Sequence, residues 1–317
     1  MSPSTESRAG VPLSSLDSPL FDGADATKRD LVDYLEAVAD RILPGLWDRP
    51  LSVIRVRPGQ QPFMQKNLPA SAPDWIRTTT VWAESSKREV RYALCDDLPT
   101  LLWFANQRAV EYHPALVPLG PPRATQLVLD LDPPEGDTFE HVVRAAALVR
   151  QALADAGLAG AVKTSGAKGL HVVVRLADGT AIEDGAAATR ALAARAERLG
   201  PDVATTAFLR DDREGKVFLD PTRVGGATMA AVYSPRVRPG VPVSFPVSWD
   251  ELDRVSPADF TIHTAVGLLG EADPWRDALP APQSLPADLV EEGHTIPVPR
   301  VQAMHEGKRR ARARRAQ

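Results

Sequence analysis

An α+β fold is the class that this sequence predicts, on three observations. Short apolar runs of strand length recur at 51–57, 90–94, 126–132, 161–164, 172–176 and 216–220. Between them lie longer segments with apolar residues at helical spacing, at 27–44, 98–107, 137–157 and 186–199. Apolar content of 44% and charged content of 25% are those of an ordinary globular protein, long enough for one or two domains. Three regions are expected: a flexible N-terminal arm (1–22), a catalytic domain (23–280), and a proline-containing extension with a basic tail (281–317).

In chain order, residues 1–22 are rich in Ser, Pro, Gly and Asp, the composition of a loose arm. Thr27 opens a helix with Asp30 as its capping-box partner. Leu31, Tyr34, Leu35, Val38 and Ile42 form its apolar stripe, and Pro44 is expected to end it. Lys28 lies at the positive N-terminus of that helix, a place suited to a phosphate. The strand 51–57 carries two arginines, and Phe63, Met64, Lys66, Trp75 and Arg77 follow. Aromatics interleaved with cations can stack bases and hold phosphates. An apolar patch with snorkelling basic tips explains them equally well. A strand (90–94) and a helix (98–107) lead to His113, which alone carries little weight.

The segment Gln126-Leu127-Val128-Leu129-Asp130-Leu131-Asp132-Pro133 reads as a buried strand. Asp130 and Asp132 stand two apart, so both carboxylates project from one face, roughly 7 Å apart. Such a pair is costly unless a cation neutralises it, and hard oxygen ligands suit Mg²⁺ or Mn²⁺. A strand end whose acids face water is the alternative. Asp137 and Glu140 cap the next helix, which Gly157 and Gly160 end. Ser165-Gly166-Ala167-Lys168-Gly169-Leu170-His171 then joins two strands. Small residues with Ser, Lys and His suit a phosphate cradle, where a plain hairpin would explain only the glycines. After the helix 186–199, the strand 216–220 ends in a third carboxylate, Asp220, with Arg223 three residues on and Arg236 beyond.

Net charge is −4, but residues 308–317 hold six basic residues and no acid, so the rest carries −10. Contact with nucleic acid would therefore run through local basic patches and the tail. Cys95 is the only cysteine, which excludes an internal disulfide and a multi-cysteine zinc site. No apolar run approaches 18 residues and no secretion signal is evident. A cytoplasmic, nucleoid-associated monomer with no membrane contact is expected.

Together, Asp130, Asp132 and Asp220 supply ligands for two divalent ions, and Ser165, Lys168, His171, Arg223 and Arg236 supply contacts for a polyphosphate. That constellation suits transfer of a nucleotide from a nucleoside triphosphate to a 3′-hydroxyl. At these residues the sequence resembles the polymerase domain of bacterial DNA ligase D, in the archaeo-eukaryotic primase superfamily. The marks are Leu129–Pro133, Thr164–Gly166 with Lys168–His171, and Gly215–Asp220. Weaker marks are Gln65-Lys66, Pro73-Asp74-Trp75, His113-Pro114, Tyr233–Arg236 and Asp273-Pro274-Trp275.

The resemblance implies two packed mixed β-sheets flanked by helices, an RRM-like catalytic core, and dependence on two Mn²⁺ or Mg²⁺ ions. It also implies short-tract synthesis from rNTP or dNTP at gapped or broken duplex DNA, with a preference for ribonucleotides. It places His113 at the edge of the nucleotide pocket, Phe63 beside the templating base, and Lys28 on a downstream 5′-phosphate. Met64 stands where a second aromatic is usual, and Ser18 where a second phosphate-binding lysine is expected. Pro221-Thr222-Arg223-Val224 departs from the usual surroundings of the arginine. No Lys-x-Asp-Gly occurs, so a stand-alone polymerase working with a separate ATP-dependent ligase and Ku is expected. The competing classes are a non-catalytic binder of gapped DNA, a phosphatase with an Asp-x-Asp strand, and a replicative primase.

Overall fold

The computed structural model describes residues 6–83, 87–136, 138–225 and 227–298. Strands β1 (Glu6–Arg8) and β2 (Val11–Leu13) form a hairpin, and Val11, Leu13, Leu16 and Leu20 are buried. The loose arm expected over 1–22 is thus, from residue 6 onward, part of the core. Four apolar side chains scattered among Ser and Pro carry it there, and Arg8 pins it through ion pairs to Asp33 and Glu36. Helix α1 (Lys28–Ala37) starts with the expected Thr27–Asp30 capping box. It breaks at Val38, and α2 (Ala39–Leu46) continues with Pro44 inside it. Pro44 does not end the helix, because its missing N–H would have met the carbonyl of Asp40, an exposed residue that water can serve.

The smaller sheet holds β3 (Leu51–Arg57), β4 (Gln60–Gln65), β5 (Thr78–Ala83), β6 (Arg88–Ala93) and, after helix α3 (Leu98–Asn106), β7 (Ala109–Pro114). Strand β3 is its hub, pairing with β7, β4 and, at Leu51, β6. Every pairing in it is antiparallel, so of two sheets expected to be mixed only the larger one is.

The larger sheet is built from β8 (Gln126–Asp132), β9 (Ala161–Thr164), β10 (Leu170–Arg175), β11 (Ala204–Thr205), β12 (Val217–Asp220) and β13 (Pro246–Val247). Their order is β11-β12-β8-β10-β9-β13, with only β11 and β12 parallel. Alternation along β8 sends Leu127, Leu129 and Leu131 to one face and Val128, Asp130 and Asp132 to the other. Helices α4 (Phe139–Asp155) and α5 (Ile182–Leu199) pack on this sheet and give Val142, Ala146, Val149, Ala188 and Leu192 to the core around those leucines. Thr138 is the N-cap of α4 with Glu140 in its first turn; the expected cap Asp137 lies outside the described residues.

Short helices α6 (Ala265–Leu269) and α7 (Pro274–Ala278) precede α8 (Ala287–Thr295), which docks on α5. A Cβ at Gly293 would lie 1.9 Å from the Ala187 carbonyl oxygen, so only glycine allows this approach. Arg195 and Arg198 each reach Glu292 at 2.7 Å. The proline-containing extension is anchored through residue 295, while the basic tail 308–317 lies outside the described residues. Among the described residues no helix is long and apolar enough to cross a membrane.

Candidate active site

Strand register assembles the site. Asp220 of β12 stands opposite Asp130 of β8, Asp130 opposite His171 of β10, and His171 opposite Lys163 of β9. Residues directly opposite share a face with Cβ atoms about 4.5–5.5 Å apart, so these four form a continuous row across the sheet. Asp132, two residues along β8, adds the third carboxylate to the same face.

Arg223 bridges the row. Its Nη2 donates to Asp130 Oδ2 at 2.6 Å, and its Nε lies 3.2 Å from Asp220 Oδ2. Asp220 also accepts from the Thr222 backbone N–H (2.9 Å) and hydroxyl (2.6 Å), so the Pro221-Thr222 sequence fixes the turn that delivers Arg223. Burial works to raise the Asp130 carboxyl, but His171 and Arg223 outweigh it and hold it well below the usual range. Burial, and then the charge of Asp130, push Asp132 up to about 6. Two carboxylates thus contact a guanidinium directly, while Asp132 feels Arg223 and Arg213 only as weaker attractions that burial and Asp130 outweigh. Among the described residues no group of three or more His, Cys, Asp or Glu side chains stands ready to hold a metal ion, since Arg223 sits on two of the three acids. The donor set nonetheless fits hard divalent cations: three carboxylates on one face, two of them already holding one cationic group.

The 165–171 loop folds on itself. Ser165 Oγ accepts from the N–H groups of Ala167 and Gly169, both at 3.2 Å. A Cβ at Gly169 would lie 2.1 Å from the Leu131 carbonyl oxygen, which is why the loop can lie against β8 between the two aspartates. Lys168 is exposed and lines a cavity of 610 Å³ with Asp132, Glu135, Arg210, Arg213 and Arg238. Arg213 is held over the Phe218 ring at 3.8 Å. Three of these arginines were not singled out in the sequence, because their convergence depends on how two distant loops fold over the strand end.

Glu111 of β7 is a further residue that sequence reasoning passed over. One of its carboxylate oxygens takes His113 Nε2 at 2.8 Å and lies 3.0 Å from Arg236 Nε, and the other accepts from the Val237 N–H. Arg236 in turn donates to the Ser165 carbonyl at 2.5 Å. His113, Arg236 and Ser165 are thus brought together through one buried acid. Burial opposes ionisation of Glu111, but His113, Arg236 and the Val237 N–H keep its carboxyl below the usual value.

Phe63, Met64 and Lys66 line a separate depression of 330 Å³ on the smaller sheet, with Arg57 over the Phe63 ring at 4.9 Å. Met64 and Lys66 are exposed. Lys28 departs from expectation: it is buried, and its ammonium donates to the Ser14 carbonyl at 2.5 Å, closed in by the folded 6–22 segment. Arg108 lies beside it and holds Ser18 Oγ at 2.6 Å; burial and then Arg108 draw the Lys28 amine down to about 8. The structure thus withdraws the Lys28 charge from the surface where a DNA phosphate was to meet it.

A sequence model of the LigD primase-polymerase domain matches residues 27–275. The chain belongs to this family. Among curated relatives, the bifunctional non-homologous end joining protein LigD of Bacillus subtilis is 31% identical over 284 residues, covering 88% of this chain and 46% of that protein. The multifunctional non-homologous end joining DNA repair protein LigD of Mycobacterium tuberculosis H37Rv is 35% identical over 255 residues, covering 77% and 33%. The chain therefore spans between a third and a half of these LigD proteins. The polymerase domain of Mycobacterium tuberculosis ligase D, solved in complex with DNA, superposes with a TM-score of 0.75 at 31% identity, covering 85% of this chain and 96% of that one. The fold is therefore that of a LigD polymerase domain, as the sequence resemblance implied.

Proposed function

We propose that this LigD-type domain is a DNA-dependent nucleotidyltransferase. It adds short tracts of nucleotides to 3′-hydroxyl ends at gaps or breaks during DNA repair. The observation that carries this reading is the row of Asp220, Asp130 and His171 and, beside it, Asp132, which lines a cavity with Lys168, Arg210, Arg213 and Arg238. Asp130, Asp132 and Asp220 would hold two Mn²⁺ or Mg²⁺ ions, which supply charge neutralisation and activation of the attacking hydroxyl when bound.

The chain's own residues do the rest. The Lys168 and arginine side chains of the cavity attract and orient a triphosphate. Arg223, which bridges Asp130 and Asp220, would be free to reach the phosphates were cations to hold those acids instead. Glu111 keeps His113 and Arg236 in place at the pocket edge. Phe63, Met64 and Lys66 offer a face for template DNA, softer than an all-aromatic one because Met64 is flexible. Duplex DNA with gaps or breaks and rNTP or dNTP are the substrates of this reading, which the end-joining names and the DNA complex of the relatives support.

A second reading, a non-catalytic binder of gapped DNA, has one observation in its favour: the ion pairs by which Arg223 closes off two of the three acids. Primer extension separates the two. On duplexes with gaps of defined size, an enzyme extends the primer with Mn²⁺ or Mg²⁺, whereas a binder retains the DNA and incorporates nothing.

A further inference from the structure

A second cavity lies behind the carboxylate row. On the face of β8 and β10 that carries the row, Asp130 stands opposite His171, Val128 opposite Val173 and Gln126 opposite Arg175. Successive pairs on one face are roughly 7 Å apart, so Arg175 lies roughly 14 Å from the row. Around it, helices α2 and α7 and the ends of β7, β8 and β10 enclose 590 Å³. That volume falls in the roughly 300–1,000 Å³ range of small-molecule sites, a fit for one nucleotide and not for a duplex.

The lining divides by chemistry. Leu116 and Val173 are buried, and with Val128 they form a small apolar cluster against which Met229, Trp275 and Leu279 pack. Five arginines, Arg41, Arg49, Arg123, Arg175 and Arg276, face three aspartates across the cavity lining. Of those acids, Asp273 is taken by the Tyr233 hydroxyl at 2.7 Å, and Asp40 and Asp178 are exposed.

The arginines nearest β10 lack an anion. Half-buried Arg49 donates to the carbonyls of Ala115 (3.0 Å) and Leu116 (2.5 Å) and to the Thr125 hydroxyl (3.0 Å). These neutral acceptors satisfy its hydrogens and leave its charge unbalanced. Burial, and then the neighbouring charge of Arg123, pull the Arg49 guanidinium below its ordinary value. Arg123 Nε is buried without a hydrogen bond, because Asp178 Oδ1, 3.2 Å away, does not meet it in bonding geometry. The exposed Arg175 guanidinium has no partner among the described residues.

We propose that this cavity is a second binding site, for a nucleotide whose phosphate lies on Arg49, Arg123 and Arg175 and whose base lies against Trp275 and Leu279. Guanidinium forks match phosphate oxygens, and an aromatic face accepts any base. The site uses none of the three carboxylates, so it holds for a catalyst and for a non-catalytic binder alike. Its ligand would tie the end of β7 in the smaller sheet to β10 in the larger one.

The test uses the full chain in EDTA, with AMP as the probe. AMP should shift the indole ¹⁵N–¹H signal of Trp275 and raise the melting temperature. Arg175→Ala, which removes an exposed side chain and no internal contact, should weaken AMP binding about 10-fold by calorimetry, with the melting temperature of the free protein unchanged. Arg210→Ala, in the cavity beside Asp132, should bind AMP as the wild type does. Inorganic phosphate and adenosine should each bind about 10-fold or more below AMP, since each offers half of the recognition. Phosphate binding as tightly as AMP would overturn the nucleotide assignment. An unmoved Trp275 signal, or wild-type AMP affinity in Arg175→Ala, would overturn the site.

Discussion

Asn in place of Asp132 should stabilise the metal-free protein while abolishing nucleotide transfer. The Asp132 carboxyl is moved from its ordinary 3.8 to about 6 by burial and by the neighbouring Asp130 charge. Ionising it in the folded state at neutral pH therefore costs about 3 kcal/mol. The sign follows from linkage. The raised value lets the folded protein keep a proton that the unfolded chain has released, so the stability is full below about 3.8 and is lost as pH rises to about 6. Asp132→Asn removes that loss but leaves an amide to be hydrogen-bonded, so a net gain of about 1–3 kcal/mol is expected at pH 7.5, shrinking to nothing near pH 4. Urea unfolding at both pH values in EDTA measures it. Excess Mn²⁺ should invert the order, because the wild type then gains a ligand-bound carboxylate that the variant lacks. A variant no more stable than wild type at pH 7.5 in EDTA, or equal stabilisation of both by Mn²⁺, would refute this electrostatic account of the site.

Arg223→Ala should cost about 3–5 kcal/mol of stability in EDTA by leaving Asp130 and Asp220 without a counter-charge, and much less in Mn²⁺; thermal melts with and without the ion check this. Glu111→Gln should raise the KM for the nucleotide about 10-fold with a smaller change in kcat, because Arg236 and His113 lose their shared anion; steady-state extension kinetics report the split. Removing residues 308–317 should weaken binding of gapped DNA at low salt and flatten its salt dependence by up to six phosphate contacts, which titrations at several salt concentrations measure.

The legible part of this protein was the part written in local pattern. The alternation of β8 announced that Asp130 and Asp132 share a face, and the Thr27–Asp30 spacing announced the start of α1. What the sequence hid was register. That Asp220, Asp130, His171 and Lys163 fall in one row depends on how three antiparallel pairings align, and nothing within any single strand encodes it. Lys163 looked like an ordinary strand residue because its partners Ala230 and Ser244 come from segments more than 60 positions away. The hairpin at 6–13 was missed for a different reason. Val11, Leu13, Leu16 and Leu20 are too few and too interrupted by Ser and Pro to declare themselves, yet each finds room against the core. Their packing also encloses Lys28, whose place at the start of α1 had suggested an exposed phosphate contact.

The central claim is that the carboxylate row performs nucleotidyl transfer. Primer extension on a duplex with a short defined gap, supplied with Mn²⁺ and ribonucleotides, tests it most directly in the wild type and in Asp130→Ala/Asp220→Ala. The account predicts extension by the wild type and none by the variant, with the variant still folded and still retaining the gapped DNA. Extension at the wild-type rate by the folded double variant would contradict it, as would a wild type that binds the gap and adds no nucleotide with either Mn²⁺ or Mg²⁺.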